Sequence, residues 1–198
     1  SEEGFTYLQL GVIQTVEPNF GQVGTLVQIG GERMLGGDDT VATLTLVGTE
    51  AFVVTAADDA IVVRATDPSS VTQGDVVITA ESGAEITLAG GFTYKTASVI
   101  DTVQPAEGQI GTVVTIKGSA LRGSGDSVDT VTLGGSEATI SSESNTVVKV
   151  VAIQADAADE AADVVVTANS GAVATLADSF TYAAEGQVSD VSPTTGQL

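Results

Sequence analysis

Ile100-Asp101-Thr102-Val103-Gln104-Pro105-Ala106-Glu107-Gly108-Gln109-Ile110-Gly111-Thr112-Val113-Val114-Thr115-Ile116-Lys117-Gly118 is the stretch from which the rest of the chain can be read. Val114 and Ile116 alternate with Thr115 and Lys117, the period-two pattern of a half-buried strand. Pro105 fixes φ and has no N–H to give to a ladder, so it ends or breaks the strand before it. Gly108 is expected to take the positive φ of the turn back.

The same Pro-x-x-Gly-x-x-Gly-Thr run stands 87 residues earlier at Pro18, Gly21, Gly24 and Thr25, and opens once more at Pro193 and Gly196. Phe-Thr-Tyr keeps that register at Phe5-Thr6-Tyr7, Phe92-Thr93-Tyr94 and Phe180-Thr181-Tyr182. A fixed period of this size means an array of similar modules. The expected division is the end of a preceding module at 1–10, complete modules at 11–97 and 98–186, and the start of a following one at 187–198. The chain then reads as a window on a longer array.

Within the second module the strand runs continue through Val131-Thr132-Leu133, Ala138-Thr139-Ile140, Val147 to Val151, Asp163 to Ala168, and Ala174 to Tyr182. Gly134-Gly135 and Asn169-Ser170-Gly171 mark turns between them, and Ala155 to Ala162 reads as a loop with enough Ala for one helical turn. The first module repeats the pattern. About seven short strands at 8–12-residue spacing, with no helical period of comparable strength, predict an all-β fold of tandem immunoglobulin-like sandwiches. Phe180 and Tyr182, like Phe92 and Tyr94, are expected on one sheet face as core.

The order I-x-x-V-x-P-x-x-G-x-x-G-T-x-V-x-I-x-G, then V-x-L-G-G, then D-V-x-V-T-A-x-S-G-A, ending in F-T-Y, resembles an IPT/TIG domain, the immunoglobulin-like module of plexins and many surface proteins. The second module follows it from Ile100 to Tyr182, and the first departs where Val47-Gly48 stands for Gly134-Gly135. The resemblance implies structural roles for Pro18, Gly21, Gly24, Phe92, Tyr94, Pro105, Gly108, Gly111, Phe180 and Tyr182. It implies a spacer or binding unit with no chemistry of its own.

Composition agrees with a non-enzyme. There is no Cys and no His, which removes disulfides, thiolate chemistry and the commonest general base. The net charge is −20, and the two modules carry 11 acids against 3 bases and 12 against 3, so acidity belongs to the repeat. Such a surface repels phosphate backbones and anionic headgroups, so nucleic acid and membrane insertion are not expected. The acid pairs Asp38-Asp39, Asp58-Asp59, Asp126 with Asp129, and Asp159-Glu160 lie in turns without aromatic walls, unlike a glycosidase cleft. No cofactor is expected. Calcium is the one cation for which there are candidates, at Asp38 and Asp39 and at Asp126 and Asp129, because it takes carboxylate and carbonyl oxygens from flexible loops. Asn19, Asn145 and Asn169 all lack Ser or Thr two residues on, so no N-glycosylation sequon is present.

Five residues separate Tyr94 from Ile100, and fully extended they reach only ~17 Å, so neighbouring modules must touch or nearly touch. The expected function is a semi-rigid spacer or assembly unit in an extracellular or cell-surface stalk, fibre or filament. Its partners would be neighbouring modules and, laterally, identical chains. The alternative is an adhesion or receptor ectodomain binding another surface protein or a glycan.

Overall fold

The computed structural model describes residues 9–153, 160–184, 186–187, 189–190 and 192–195. Phe5-Thr6-Tyr7, Gly196 and most of the Ala155 to Ala162 loop, with Asp159, lie outside them. The first module is built from β1 (Val12–Glu17), β2 (Phe20–Gly21), β3 (Leu26–Glu32), β4 (Val41–Leu46), β5 (Thr49–Glu50), β6 (Phe52–Ala56), β7 (Ala60–Arg64), β8 (Gln73–Ala80) and β9 (Glu85–Tyr94). The second repeats it as β10 (Val99–Gln104), β11 (Glu107–Gly108), β12 (Val113–Ser119), β13 (Val128–Leu133), β14 (Ser136–Glu137), β15 (Thr139–Glu143), β16 (Val147–Val151), β17 (Ala161–Ala168) and β18 (Val173–Tyr182). Each module thus has seven strands of five residues or more and two of two residues. Strand β17 begins at Ala161, two residues before the expected start, inside the stretch read from sequence as loop.

Each sandwich faces a four-stranded sheet against a five-stranded one. The orders are β1-β3-β7-β6 with β2-β9-β8-β4-β5, and β10-β12-β16-β15 with β11-β18-β17-β13-β14. All pairings are antiparallel except β2 with β9 and β11 with β18, which are parallel. Proline produces that exception. Pro18 and Pro105, both after cis peptide bonds, separate β1 from β2 and β10 from β11, so the first strand changes sheets. Even the bulges coincide, at Ile13/Thr15 and Ile100/Thr102 and at Val53/Thr55 and Ile140/Ser142.

The cores follow from alternation. Val27, Ile29, Ile61, Val63, Val76 and Ile78 are buried in the first sandwich, and Val114, Ile116, Val148, Val150, Val164 and Val166 in the second. Each core is closed by one aromatic pair packed edge to face. The ring centroids of Phe92 and Tyr94 lie 5.2 Å apart, and those of Phe180 and Tyr182 5.1 Å. Tyr94, Phe92 and Phe180 are among the largest fully buried side chains of the protein.

The glycines of the Pro-x-x-Gly-x-x-Gly-Thr run divide their work differently from the expectation. Gly21 and Gly108 lie in strands, and the positive φ falls on Gly24 (+88°) and Gly111 (+89°). At Gly21 and Gly108 a Cβ would come within 2.7 and 2.6 Å of Thr25 and Thr112. Those threonines hold the turn by accepting the amide N–H of Gln22 and Gln109 on Oγ1, at 3.0 and 2.9 Å. Where the first module has Val47 in place of a glycine, Val47 still adopts φ +54°, and it packs against the core of its own sandwich.

Candidate functional site: the joint between the modules

The feature that the sequence placed only by linker length is a built joint. Strand β9 ends at Tyr94 and β10 begins at Val99, and the four residues between them are held from both sides. The Lys95 N–H donates to Gly21 O at 2.6 Å. Ser98 receives a hydrogen bond from Gln22 Nε2 at 2.5 Å and donates its hydroxyl to Ala120 O at 2.6 Å. A chain of bonds therefore runs from the first module through the linker into the second, starting at a glutamine with no solvent exposure.

Next to the linker the main chains meet directly. The turn ahead of β3 is fixed to the end of β7 by Gly24 N–H to Ala65 O and Ala65 N–H to Thr25 O, at 2.8 and 2.9 Å. The facing hairpin between β17 and β18 carries Asn169, Ser170 and Gly171, and Leu26 N–H donates across the joint to Ser170 O at 2.9 Å. Gly24 and Gly171, both with positive φ, touch. A Cβ on Gly24 would sit 3.0 Å from Gly171 O, and one on Gly171 would sit 3.1 Å from Gly24 O. Only residues without a side chain allow that approach. The equivalent glycines at the outer ends, Gly83 (φ +82°) and Gly111, have nothing within 4 Å.

The hairpin is braced by the loop over residues 120–127. Ser170 Oγ donates to Gly123 O at 2.7 Å, and Asn169 Oδ1 accepts Asp126 N–H at 3.0 Å. Arg122 anchors the loop to β15 through a two-point ion pair, with Nε to Glu143 Oε2 at 2.8 Å and Nη2 to Oε1 at 3.0 Å. The Arg122 hydrogen bonds hold the Glu143 carboxyl below the usual carboxylate range, with a smaller lowering from the Val128 N–H. A group with a depressed folded pKa contributes its stabilisation above its unfolded value and loses it as pH falls through the folded one. The loop is therefore expected to be anchored at neutral pH and to loosen as pH drops below about 4. Amide signals of Arg122 and Val128 followed by NMR should move over that interval, and Glu143→Gln should abolish the step.

Between the linker and this loop lies a cleft of about 510 Å³, walled on one side by Phe20, Lys95 and Thr96 and on the other by Arg122, Ser124 and Asn145. Lys95 Nζ stands 5.7 Å from the Phe20 ring centroid.

The residues expected to bind calcium form one pair on each module. Asp38 and Asp39 are exposed ahead of β4, while Asp126 lies in the braced loop and Asp129 is exposed on β13. Among the described residues no group of three or more His, Cys, Asp or Glu comes together to hold an ion. Asp58 caps the first module's loop, its Oδ1 accepting Leu35 N–H at 3.1 Å. No helix among the described residues is long and apolar enough to cross a membrane. The joint residues Gln22, Ser98 and Ser170 were missed in sequence. Their signals were that Gly-Gln recurs at Gly21-Gln22 and Gly108-Gln109, and Ser-Gly at Ser82-Gly83 and Ser170-Gly171, in step with the module.

Residues 98–182 match the family model for the IPT/TIG domain. A comparison with curated proteins finds no match. Among solved structures, the chain is similar to the plexin A4 full extracellular region, domains 1 to 10, with 20% identity, 98% of this chain covered and a TM-score of 0.57. In a second structure of that region, which comprises domains 1 to 8, the identity is 20%, the cover 92% and the TM-score 0.51. The chain spans only 18% and 20% of the length of those plexin chains. The second sandwich is an IPT/TIG domain, and the first repeats its topology strand for strand.

Proposed function

We propose that this chain is a non-catalytic segment of a long extracellular or cell-surface protein, working as a semi-rigid spacer and assembly unit. The observation that carries the reading is the joint, where a main-chain hydrogen bond from Leu26 to Ser170 and the Gly24–Gly171 contact leave the modules little freedom to swing. A flexible tether between independent domains would need none of this. The extracellular setting is supported by the plexin regions that the chain resembles in fold. The absence of His and Cys from the sequence and the acidic repeat fit a role without chemistry.

Small-angle scattering on the whole chain tests the reading. Two sandwiches end to end, at roughly 40 Å each for strands of this length, should give a maximum dimension of roughly 80 Å, unchanged by millimolar calcium. A compact or broadly distributed particle would refute the spacer. One that straightens only with calcium would move the stiffness from the joint to the acidic loops.

A further inference from the structure

The two modules are internal controls for each other, and the cleft at the joint is where they disagree. Phe20 pairs with Thr93 as Glu107 pairs with Thr181, so Glu107 is the counterpart of Phe20. Lys95 N–H bonds to Gly21 O as Ala183 N–H bonds to Gly108 O, so Ala183 is the counterpart of Lys95. Arg122 N–H bonds to Asn145 Oδ1 as Leu35 N–H bonds to Asp58 Oδ1, which pairs Arg122 with Leu35 and Asn145 with Asp58. The sandwich therefore closes equally well without an aromatic, a lysine, an arginine or an amide at these four positions. Yet all four line one cavity here, drawn from both sides of the joint.

Their exposure argues against a packing role. Phe20 remains 40% exposed, one of only two aromatics outside the Phe-Thr-Tyr triplets. Lys95 and Arg122 are two of the six basic residues of the chain. The Glu143 carboxylate takes Nε and one Nη2 N–H of Arg122, leaving further guanidinium N–H groups, which number five in all. The cleft thus offers an apolar ring, an ammonium, a pre-oriented guanidinium and an Asn amide, within the usual volume range of ligand sites at domain junctions. Glu143 and Asp126 beside Arg122 offset its charge, and the chain as a whole carries −20, so a polyanion is repelled from the approach. A ligand rich in oxygen acceptors, with an apolar face and no net charge, is the chemistry that remains.

We infer that the joint cleft is a binding site for a neutral oligosaccharide, with a sugar face against Phe20 and sugar oxygens accepting hydrogen bonds from Lys95, Arg122 and Asn145. This goes beyond the spacer reading and is separable from it, since scattering reads the joint and titration reads the cleft.

The test is an NMR titration of the whole isotope-labelled chain with cellohexaose, with maltohexaose and with hexagalacturonate. A neutral hexamer is expected to give saturable shifts confined to residues 20–22, 95–98, 120–125 and 145. The double variant Phe20→Glu, Lys95→Ala carries the residues that the second module itself uses, so it should fold. It should bind at least about tenfold more weakly, as expected for losing an aromatic contact. No saturation by either neutral sugar up to about 10 mM overturns the proposal. So do shifts that the double variant leaves unchanged, which would place binding elsewhere. Tighter binding of hexagalacturonate than of the neutral sugars overturns the assignment to neutral ligands.

Discussion

Phe92→Ala is expected to destabilise the first sandwich by about 3–5 kcal/mol and to leave the second with its own transition. Phe92 has no solvent exposure and meets Tyr94 edge to face at 5.2 Å, so truncation removes both the buried ring and its aromatic partner contact. Apart from Tyr94, the remaining core around it is Val, Ile, Leu and Ala with Met34. Against a total of about 5–15 kcal/mol for a domain, that loss brings the module close to unfolding at room temperature. Chemical denaturation followed by amide signals should show residues 11–94 melting early and residues 99–182 on their original curve. Phe180→Ala should produce the mirror image. Loss of both sandwiches together in either variant would mean that the joint couples them into one cooperative unit.

Gly171→Val is expected to open the joint, and Gly83→Val to leave it intact. Both glycines have a left-handed backbone, φ +86° and +82°, so both substitutions carry a local conformational cost of about 1–2 kcal/mol or more for a β-branched residue. Only at Gly171 would the new Cβ meet Gly24 O at 3.1 Å and Leu26 Cγ at 3.2 Å; at Gly83 nothing lies within 4 Å. The difference between the two variants therefore isolates the contact from the strain. In Gly171→Val the Leu26 amide should lose its hydrogen-exchange protection, and scattering should report a wider spread of shapes. If Gly83→Val does the same, the glycine contact is not what sets the angle between the modules.

Much of the fold was legible because its signals are local and repeated. Val114 and Ile116 alternate with polar neighbours, Phe-Thr-Tyr returns on schedule, and Pro105 interrupts a strand for a reason that any proline carries. The division of labour between Gly108 and Gly111 was not legible, because both glycines suit a turn and only Thr112, folding back over Gly108, decides which is which. The joint was not legible beyond its shortness. Gly24 and Gly171 are far apart in sequence, and each reads as an ordinary turn glycine until the two modules are set end to end. The start of β17 was obscured by an Ala-rich stretch with no alternation to mark where pairing begins. The cleft residues left a trace of another kind. Phe20, Lys95 and Arg122 are places where the second copy fails to repeat the first, a signal visible only when the two modules are compared position by position.

Beside the side-chain bonds of Gln22 and Ser98, the turns that face each other across the joint meet through main-chain atoms, Leu26 N–H to Ser170 O and glycine against glycine. Two modules that keep a turn glycine at each of those places can meet in the same way whatever surrounds them. A gene encoding such an array can lengthen by duplication without any surface having to be re-matched. Its copies are then free to drift in sequence one at a time. A difference such as Phe20 in the first module against Glu107 at the matching place in the second then leaves the meeting of the turns unchanged, with each junction open to acquiring a character of its own.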